Sequence, residues 1–237
     1  MSVPAGLQGI NVAVLAGGLG TRVAGILGET PKVLAPVGGR TFLDHLLDHL
    51  AHLGAGRVIL CLGHLADAVI EHLQAHPAPL PLQWVVESEP LGTAGALALA
   101  RPLFDSDPVL VVNGDTWLAA DFAAFLVRHH SQPVAATLLC VPVPDIARYG
   151  AVEIDDQGHV LAFSEKGGNG PGWINGGAML LSKTILDGLP GRGSLERDVL
   201  AVLPPGQLGG FAADGAKFID IGTPETLRLA DTVVGQA

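Results

Sequence analysis

Positive charge is scarce in this sequence. Its 237 residues carry 13 lysines and arginines against 23 aspartates and glutamates, a formal net charge of −10. A general nucleic-acid binder needs a basic face, so that class is excluded. Any anion the protein holds must be met by a few cations placed together, and the lysines are only Lys32, Lys166, Lys183 and Lys217. Cysteine is scarce too. Cys61 and Cys140 lie far apart in apolar runs, with no CxxC or Cys/His spacing. They read as buried free thiols of a reducing compartment rather than metal ligands. No apolar run approaches the length of a membrane span. Met1 to Asn11 lacks a charged n-region and a long apolar h-region, so no signal peptide is expected. The expectation is a cytoplasmic protein with no membrane partner.

What is present is apolar material: 49% of residues are hydrophobic and 15% charged, enough for a sizeable core. Val12 to Leu15 reads as a buried first strand. At its end the chain turns to glycine, in Leu15-Ala16-Gly17-Gly18-Leu19-Gly20-Thr21-Arg22, followed by Pro31-Lys32. Thr41 to Leu53 has helical spacing. Phe42, Leu43, Leu46, Leu47, Leu50 and Leu53 form its apolar face; Asp44, His45, Asp48, His49 and His52 form a face expected to be solvated. The same histidine spacing could in principle bind metal, but no carboxylate elsewhere obviously completes a site.

Strands follow at Val58 to Leu62, Leu82 to Val86, Val109 to Val112 and Val134 to Val141. Helices are read at Leu65 to Gln74, from the Leu91-to-Gly95 loop to Ala100, and at Asp121 to His129. This alternation predicts an α/β, Rossmann-like, mainly parallel sheet with helices on both faces. Ligands of such sheets sit at the carboxyl ends of strands. The glycine loop, the Leu91-to-Gly95 loop and Asn113-Gly114-Asp115 are therefore expected to converge.

The second half adds strands over the sheet edge. Ala151 to Ile154 and Val160 to Phe163 flank a hairpin turn, where turn chemistry accounts for Asp155 and Asp156. Trp173 to Gly177 leads into a strand at Ala178 to Leu181. Ser194 caps a helical stretch to Leu203, and Pro224 opens a last helix to Val233. With no repeat or linker, residues 1–237 read as one domain.

The glycine loop matches neither GxGxxG nor GxxxxGK[ST]. Glycines still let backbone N–H groups approach a phosphate closely, and Arg22 and Lys32 move the reading from a tight turn to anion binding. Asp115 and Asp220 each follow an apolar strand. Mg²⁺ is held by one or two carboxylates with substrate phosphates and water, so the pair is read as its ligands. No Ser-His-Asp set or reactive cysteine is evident. Phosphoryl-type transfer needs chiefly positioning and charge neutralisation, and a phosphate nucleophile is already ionised and needs no general base.

These segments, with Glu165-Lys166, Asn175-Gly176-Gly177 and Asp220-Ile221-Gly222-Thr223-Pro224, resemble in order and spacing the sugar-1-phosphate nucleotidylyltransferases, over essentially the whole chain. Gly167 stands where that family often has proline. The resemblance implies transfer of a nucleoside monophosphate from a nucleoside triphosphate to a sugar 1-phosphate. The N-terminal half would bind nucleotide and the C-terminal half sugar phosphate. Arg22 and Lys32 would hold the triphosphate. Leu15, Ala16, Gly17, Gly18, Gly20, Thr21, Glu89, Gly92, Thr93 and Asn113 would meet the nucleotide, and Asp115 and Asp220 Mg²⁺. Gly150, Glu165, Lys166 and Asn175 would form the sugar-phosphate pocket, with Lys166 steering in-line attack. Pro31 to Val37, Ser194 to Asp198 and Phe218 to Gly222 look most like members that use GTP and D-glycero-α-D-manno-heptose 1-phosphate. Guanylyl transfer to mannose 1-phosphate and uridylyl transfer to N-acetylmuramate 1-phosphate are the alternatives within the class. Outside it stands a non-catalytic nucleotide-sugar sensor, disfavoured because Arg22, Lys32, Asp115 and Asp220 are all kept. A homo-oligomer is compatible with any of these.

Overall fold

The computed structural model describes residues 6–155, 157–164 and 168–235. In chain order the strands are β1 (Asn11–Leu15), β2 (Pro36–Val37), β3 (Arg40–Thr41), β4 (Arg57–Leu62), β5 (Leu82–Val86), β6 (Val109–Asn113), β7 (Thr116–Ala119), β8 (Ala136–Val143), β9 (Ala151–Ile154), β10 (Val160–Ser164), β11 (Gly172–Leu181), β12 (Leu208–Ala212) and β13 (Lys217–Asp220). The helices are α1 (Ala24–Leu27), α2 (Phe42–His52), α3 (Ala66–Ala75), α4 (Gly92–Ala100), α5 (Phe122–His130), α6 (Lys183–Asp187), α7 (Leu195–Asp198) and α8 (Pro224–Leu229).

β1 lies inside the main sheet, parallel to β4 on one side and β6 on the other, with β5 parallel beyond β4. Side chains alternate across a strand, and here both faces are covered. Val12, Val14, Val58 and Leu60 pack with α2, α3 and α5. Ala13, Ile59, Cys61 and Val111 pack with α4, α6 and α7. Burial on both faces is why these strands read as continuous apolar runs rather than alternating ones.

The strand-helix alternation breaks after β8. No crossover helix follows it; the chain returns through the β9–β10 hairpin, and β11 enters antiparallel to both β6 and β8. The sheet is therefore mixed, in the order β10-β9-β11-β6-β1-β4-β5, with β8 and β12 joined through β11. The hairpin is held as its turn residues suggest, Asp155 Oδ1 accepting from the backbone N–H groups of Gln157 and His159. Asp156 lies outside the described residues.

A second, two-stranded sheet pairs β7 with β13 antiparallel, placing Thr116 opposite Asp220. Around it Trp117, Ile219 and Ile221 pack against Val37, Phe42 and Leu227 in a separate apolar cluster. Asp115, just before β7, and Asp220, the last residue of β13, thus stand at neighbouring strand ends of this small sheet rather than of the main one, and Ile221 N–H donates to the Asp115 carbonyl at 2.9 Å.

The polar face of α2 is not a solvated one. His45 Nε2 lies 3.0 Å from the Val37 carbonyl, and His49 Nε2 lies 3.0 Å from that of Leu118. The His49 ring packs 4.6 Å from Trp117, and only His52 is exposed. Asp44 completes a capping box with Thr41 and also lies 2.8 Å from His72 on α3. The histidines thus tie elements together, and no metal-binding group of three or more His, Cys, Asp or Glu occurs among the described residues.

Burial holds the His49 imidazole below its ordinary pKa, the Leu118 carbonyl opposing and the nearby His52 reinforcing the shift. Burial, reinforced by His130, lowers that of His129 in the same way. Below about pH 6.5 the unfolded chain then binds more protons than the folded one, so stability present above that pH is lost as pH falls. Thermal melts from about pH 7.5 to about pH 5.5 should show a falling midpoint, with a shallower slope for His49→Gln. An unchanged slope in that variant would place the titration elsewhere.

Candidate active site

The loop after β1 is fixed at its start from the strands on both sides. Ala16 N–H donates to the Cys61 carbonyl and Gly114 N–H to that of Leu15, each at 2.9 Å. Gly20 turns the chain at φ +59°, in the left-handed region that favours glycine. Gly17 is needed for a different reason: a Cβ there would stand 2.9 Å from Glu87 Oε1. Gly63, after β4, touches the same carboxyl group from the other side, and a Cβ there would overlap it. The Glu87 side chain is wedged between two glycines, and its Oε2 accepts the Leu91 N–H at 3.0 Å.

Leu15 to Arg22, together with Lys32, Glu89, Gly92, Thr93, Asn113 and Asp115, line one cleft of about 730 Å³ at the carboxyl ends of β1, β4, β5 and β6. Every nucleotide-side residue expected from the sequence is therefore in one place. Lys32 Nζ contacts Asp115 Oδ2 at 2.5 Å, the lysine side chain 14% exposed and the aspartate 36%. Asp220 borders the same end. Its Oδ1 accepts Gly222 N–H at 2.9 Å and its Oδ2 the Tyr149 hydroxyl at 2.5 Å, with Arg148 3.7 Å away. Burial raises the Tyr149 pKa well above its ordinary value and Asp220 raises it further, against the charges of Arg148 and Arg22. Tyr149 is held protonated, as a donor to that carboxylate.

Gly150 and Asn175 do not line the cleft. Asn175 Oδ1 accepts the Gly177 N–H at 3.1 Å where β11 loses register against β8. Glu165, Lys166 and Gly167 lie outside the described residues.

Sequence reading did not single out Tyr149, Arg148, Glu87 or Glu196. Glu87 carried a usable signal, a glutamate directly after an apolar strand. Glu196 arrives from α7 and could be placed only by the fold. Leu65, at φ +58°, and the exposed His64 also line the cleft after β4. Cys61 lines it as well, but burial, with the Glu87 charge adding, pushes its thiol up to about 12. A thiol so poorly ionised is no nucleophile at neutral pH.

The cleft carries both signs of charge. Arg22 and Lys32 line it, and so do Asp115, Glu87, Glu89 and Glu196. Asp115 and Asp220 offer hard carboxylate oxygens to one side of Lys32, and a Cβ on Gly222 would lie 2.5 Å from Asp220 Oδ1 and 3.4 Å from Lys32 Nζ. That donor set suits a hard divalent cation shared with phosphate oxygens.

Residues 11–230 match the family model described as nucleotidyl transferase. The chain is 34% identical to a D-glycero-α-D-manno-heptose 1-phosphate guanylyltransferase of Aneurinibacillus thermoaerophilus, over 93% of this chain and 96% of that one. It is 36% identical to a mannose-1-phosphate guanylyltransferase of Mycobacterium tuberculosis, over 96% of this chain and 66% of that one. Among solved structures, HddC from Yersinia pseudotuberculosis superposes with a TM-score of 0.85 at 36% identity, covering 94% of this chain and 98% of that one. The same protein complexed with GMP-PN superposes with a TM-score of 0.84.

If the Glu87 wedge shapes this cleft, Gly63→Ala should displace it. Calorimetry with a non-hydrolysable GTP analogue should show affinity reduced about tenfold or more, as for loss of a hydrogen bond to a charged group, with the melting cooperativity kept. Unchanged affinity would remove the wedge from the site.

Proposed function

The chain belongs to the nucleotidyl transferase family, and on that premise we propose that it transfers a guanylyl group from GTP to a sugar 1-phosphate, releasing pyrophosphate. The acceptor we assign is D-glycero-α-D-manno-heptose 1-phosphate. The observation that carries the reaction class is the gathering of Arg22, Lys32 and Asp115 with the glycine loop in one cleft, the Asp220 segment held beside Asp115 by the Ile221 N–H. We place the triphosphate against Arg22 and Lys32 and the nucleoside toward Glu87.

The base assignment rests on donor chemistry as well as on relatives. Guanine presents two adjacent donors, N1–H and the N2 amino group, which suit a carboxylate; uracil presents one N–H between two carbonyls. Glu87 Oε1 takes no hydrogen bond from any described residue, leaving it available to such an edge.

The chemistry follows from the charges. An ionised oxygen of the sugar phosphate attacks the α-phosphorus. A new P–O bond forms, the bond between the α-phosphorus and the α,β-bridging oxygen breaks, and its electron pair leaves with pyrophosphate. Arg22 and Lys32 neutralise the triphosphate and the charge building on the departing group. Backbone N–H groups of Gly17 to Gly20 hold the phosphates without adding charge. Asp115 and Asp220 would hold Mg²⁺, with Tyr149 and Gly222 fixing Asp220; the ion would supply further neutralisation between phosphate oxygens. No proton need be removed from the nucleophile, so no general base is required. Lys166 is assigned to the acceptor phosphate by family resemblance.

Mannose 1-phosphate is the second reading, favoured by the 36% identity to the mycobacterial relative. A pyrophosphate-release panel of four nucleoside triphosphates against heptose, mannose, glucose and muramic acid derivative 1-phosphates, with Mg²⁺, separates them. Turnover should be highest with GTP and the heptose; silence with every pair would sink the enzyme reading. Asp115→Asn should lower kcat by about a hundredfold or more, and near-normal turnover would remove Asp115 from the metal role.

A further inference from the structure

One edge of the main sheet is left open. At the other end of the sheet β10 and β12 meet: His159 and Gly209 form an antiparallel bridge, and Gly210 N–H donates to the Gly158 carbonyl at 2.7 Å. β5 has no such neighbour. It pairs with β4 on one side, and among the described residues no strand pairs with its other side. Two bonds show which residues line that free side. Val58 N–H donates to the Pro81 carbonyl and Glu87 N–H to the Leu62 carbonyl, each at 2.9 Å. Successive residues of a strand turn their backbone groups to opposite sides, so Pro81, Gln83, Val85 and Glu87 are turned toward β4. Leu82, Trp84 and Val86 turn their N–H and C=O groups outward, away from the sheet.

Edges of this kind are ordinarily blunted by charge, by proline or by a covering element. Between Pro81 and Glu87 the strand reads Leu82-Gln83-Trp84-Val85-Val86, with neither charge nor proline. Side chains alternate across it. Leu82 packs on the core cluster that includes α2 and α3, and Val85 on the one that includes α4. Trp84 and Val86 therefore share the face of Leu82, and they are 39% and 46% exposed. An apolar surface and a row of outward-turned backbone groups thus lie at one edge, the combination that templates a further strand.

We propose that this edge pairs with β5 of a second copy of the chain, antiparallel, with Trp84 opposite the second copy's Trp84. The arrangement is self-complementary. Trp84 is the middle of the three outward-turned residues, so a twofold axis beside it sets Leu82 opposite the second copy's Val86. Each outward residue then exchanges N–H···O=C bonds with its opposite, as the hydrogen-bonded pairs of an antiparallel ladder do. Opposed side chains point to the same face, which gives one aromatic pair flanked by two aliphatic ones. Parallel pairing of the same two edges needs a one-residue offset between the copies, which a twofold axis forbids. The antiparallel contact closes at two copies, uses up both free edges and joins two main sheets into one. A second copy is favoured over a foreign extended peptide because the strand's own sequence supplies the matching apolar residue at every outward position.

Sedimentation equilibrium and residue-resolved hydrogen exchange of the full chain test this. The unaltered protein should sediment at twice the mass of one chain. Trp84→Lys sets two like charges opposite each other and should raise the dissociation constant by about tenfold or more. Val86→Lys, at a more exposed position, should act in the same direction and keeps the test open if Trp84→Lys fails to fold. Leu161→Lys, at an exposed apolar position on β10, should leave association unchanged. In the dimer the amides of Leu82, Trp84 and Val86 should exchange more slowly than after dilution to the monomer, while those of Gln83 and Val85 stay protected in both. An unaltered chain that stays monomeric, including one that takes up an added extended peptide but not itself, would overturn the proposal. So would a dimer that survives both lysine substitutions at β5, or one whose Leu82, Trp84 and Val86 amides exchange as fast as the monomer's. Each of these outcomes leaves the reaction class standing.

Discussion

The Lys32–Asp115 ion pair is the contact on which the site depends. A chain with formal charge −10 must hold a polyanion, and two aspartates brought together in the same place would repel each other and the ligand. Lys32 offsets both effects from a position that is 14% exposed, where screening by water is reduced. The short 3₁₀ turn Lys32–Leu34 that carries it is anchored on one side by Val33 in the main core and on the other by Ala35 in the small cluster around Trp117. That cluster also holds β7 against β13, and so sets Asp220 beside Asp115. One small sheet therefore fixes cation and both carboxylates together, and a loss of packing at Trp117 or Ile219 would be felt at the phosphate end of the cleft.

Much of this was legible because strand ends and glycines are local features. The run Val12 to Leu15, the loop to Arg22 and Lys32 could be read as a strand and a phosphate site without knowing any long-range contact. Asp115 and Asp220 could be suspected of acting together, but the sheet that joins them could not: β7 and β13 are short and follow other strands closely. The antiparallel entry of β11 was equally hidden, since a buried strand looks the same in either direction. The histidines of α2 misled because periodicity reports which positions face away from the core, and not whether another strand covers them. His49 lies under Trp117 and bonds the Leu118 carbonyl. Tyr149 depends on a contact made far along the chain, and Glu196, although its segment Ser194 to Asp198 entered the family resemblance, could be placed in the cleft only by the fold.

The same geometry explains what the site does without. Cys61 is within the cleft and chemically silent, held protonated by burial and by Glu87. Tyr149 is held protonated by burial and Asp220. Neither is available to take the nucleotidyl group, so the account requires direct displacement at the α-phosphorus by the incoming phosphate, with no enzyme-bound intermediate. The stereochemical course tests that claim most directly. With a guanosine triphosphate made chiral by sulfur at the α-phosphorus, a single in-line displacement predicts inversion at that phosphorus in the nucleotide-sugar product. Retention would mean two displacements through a covalent enzyme intermediate, and would contradict the account.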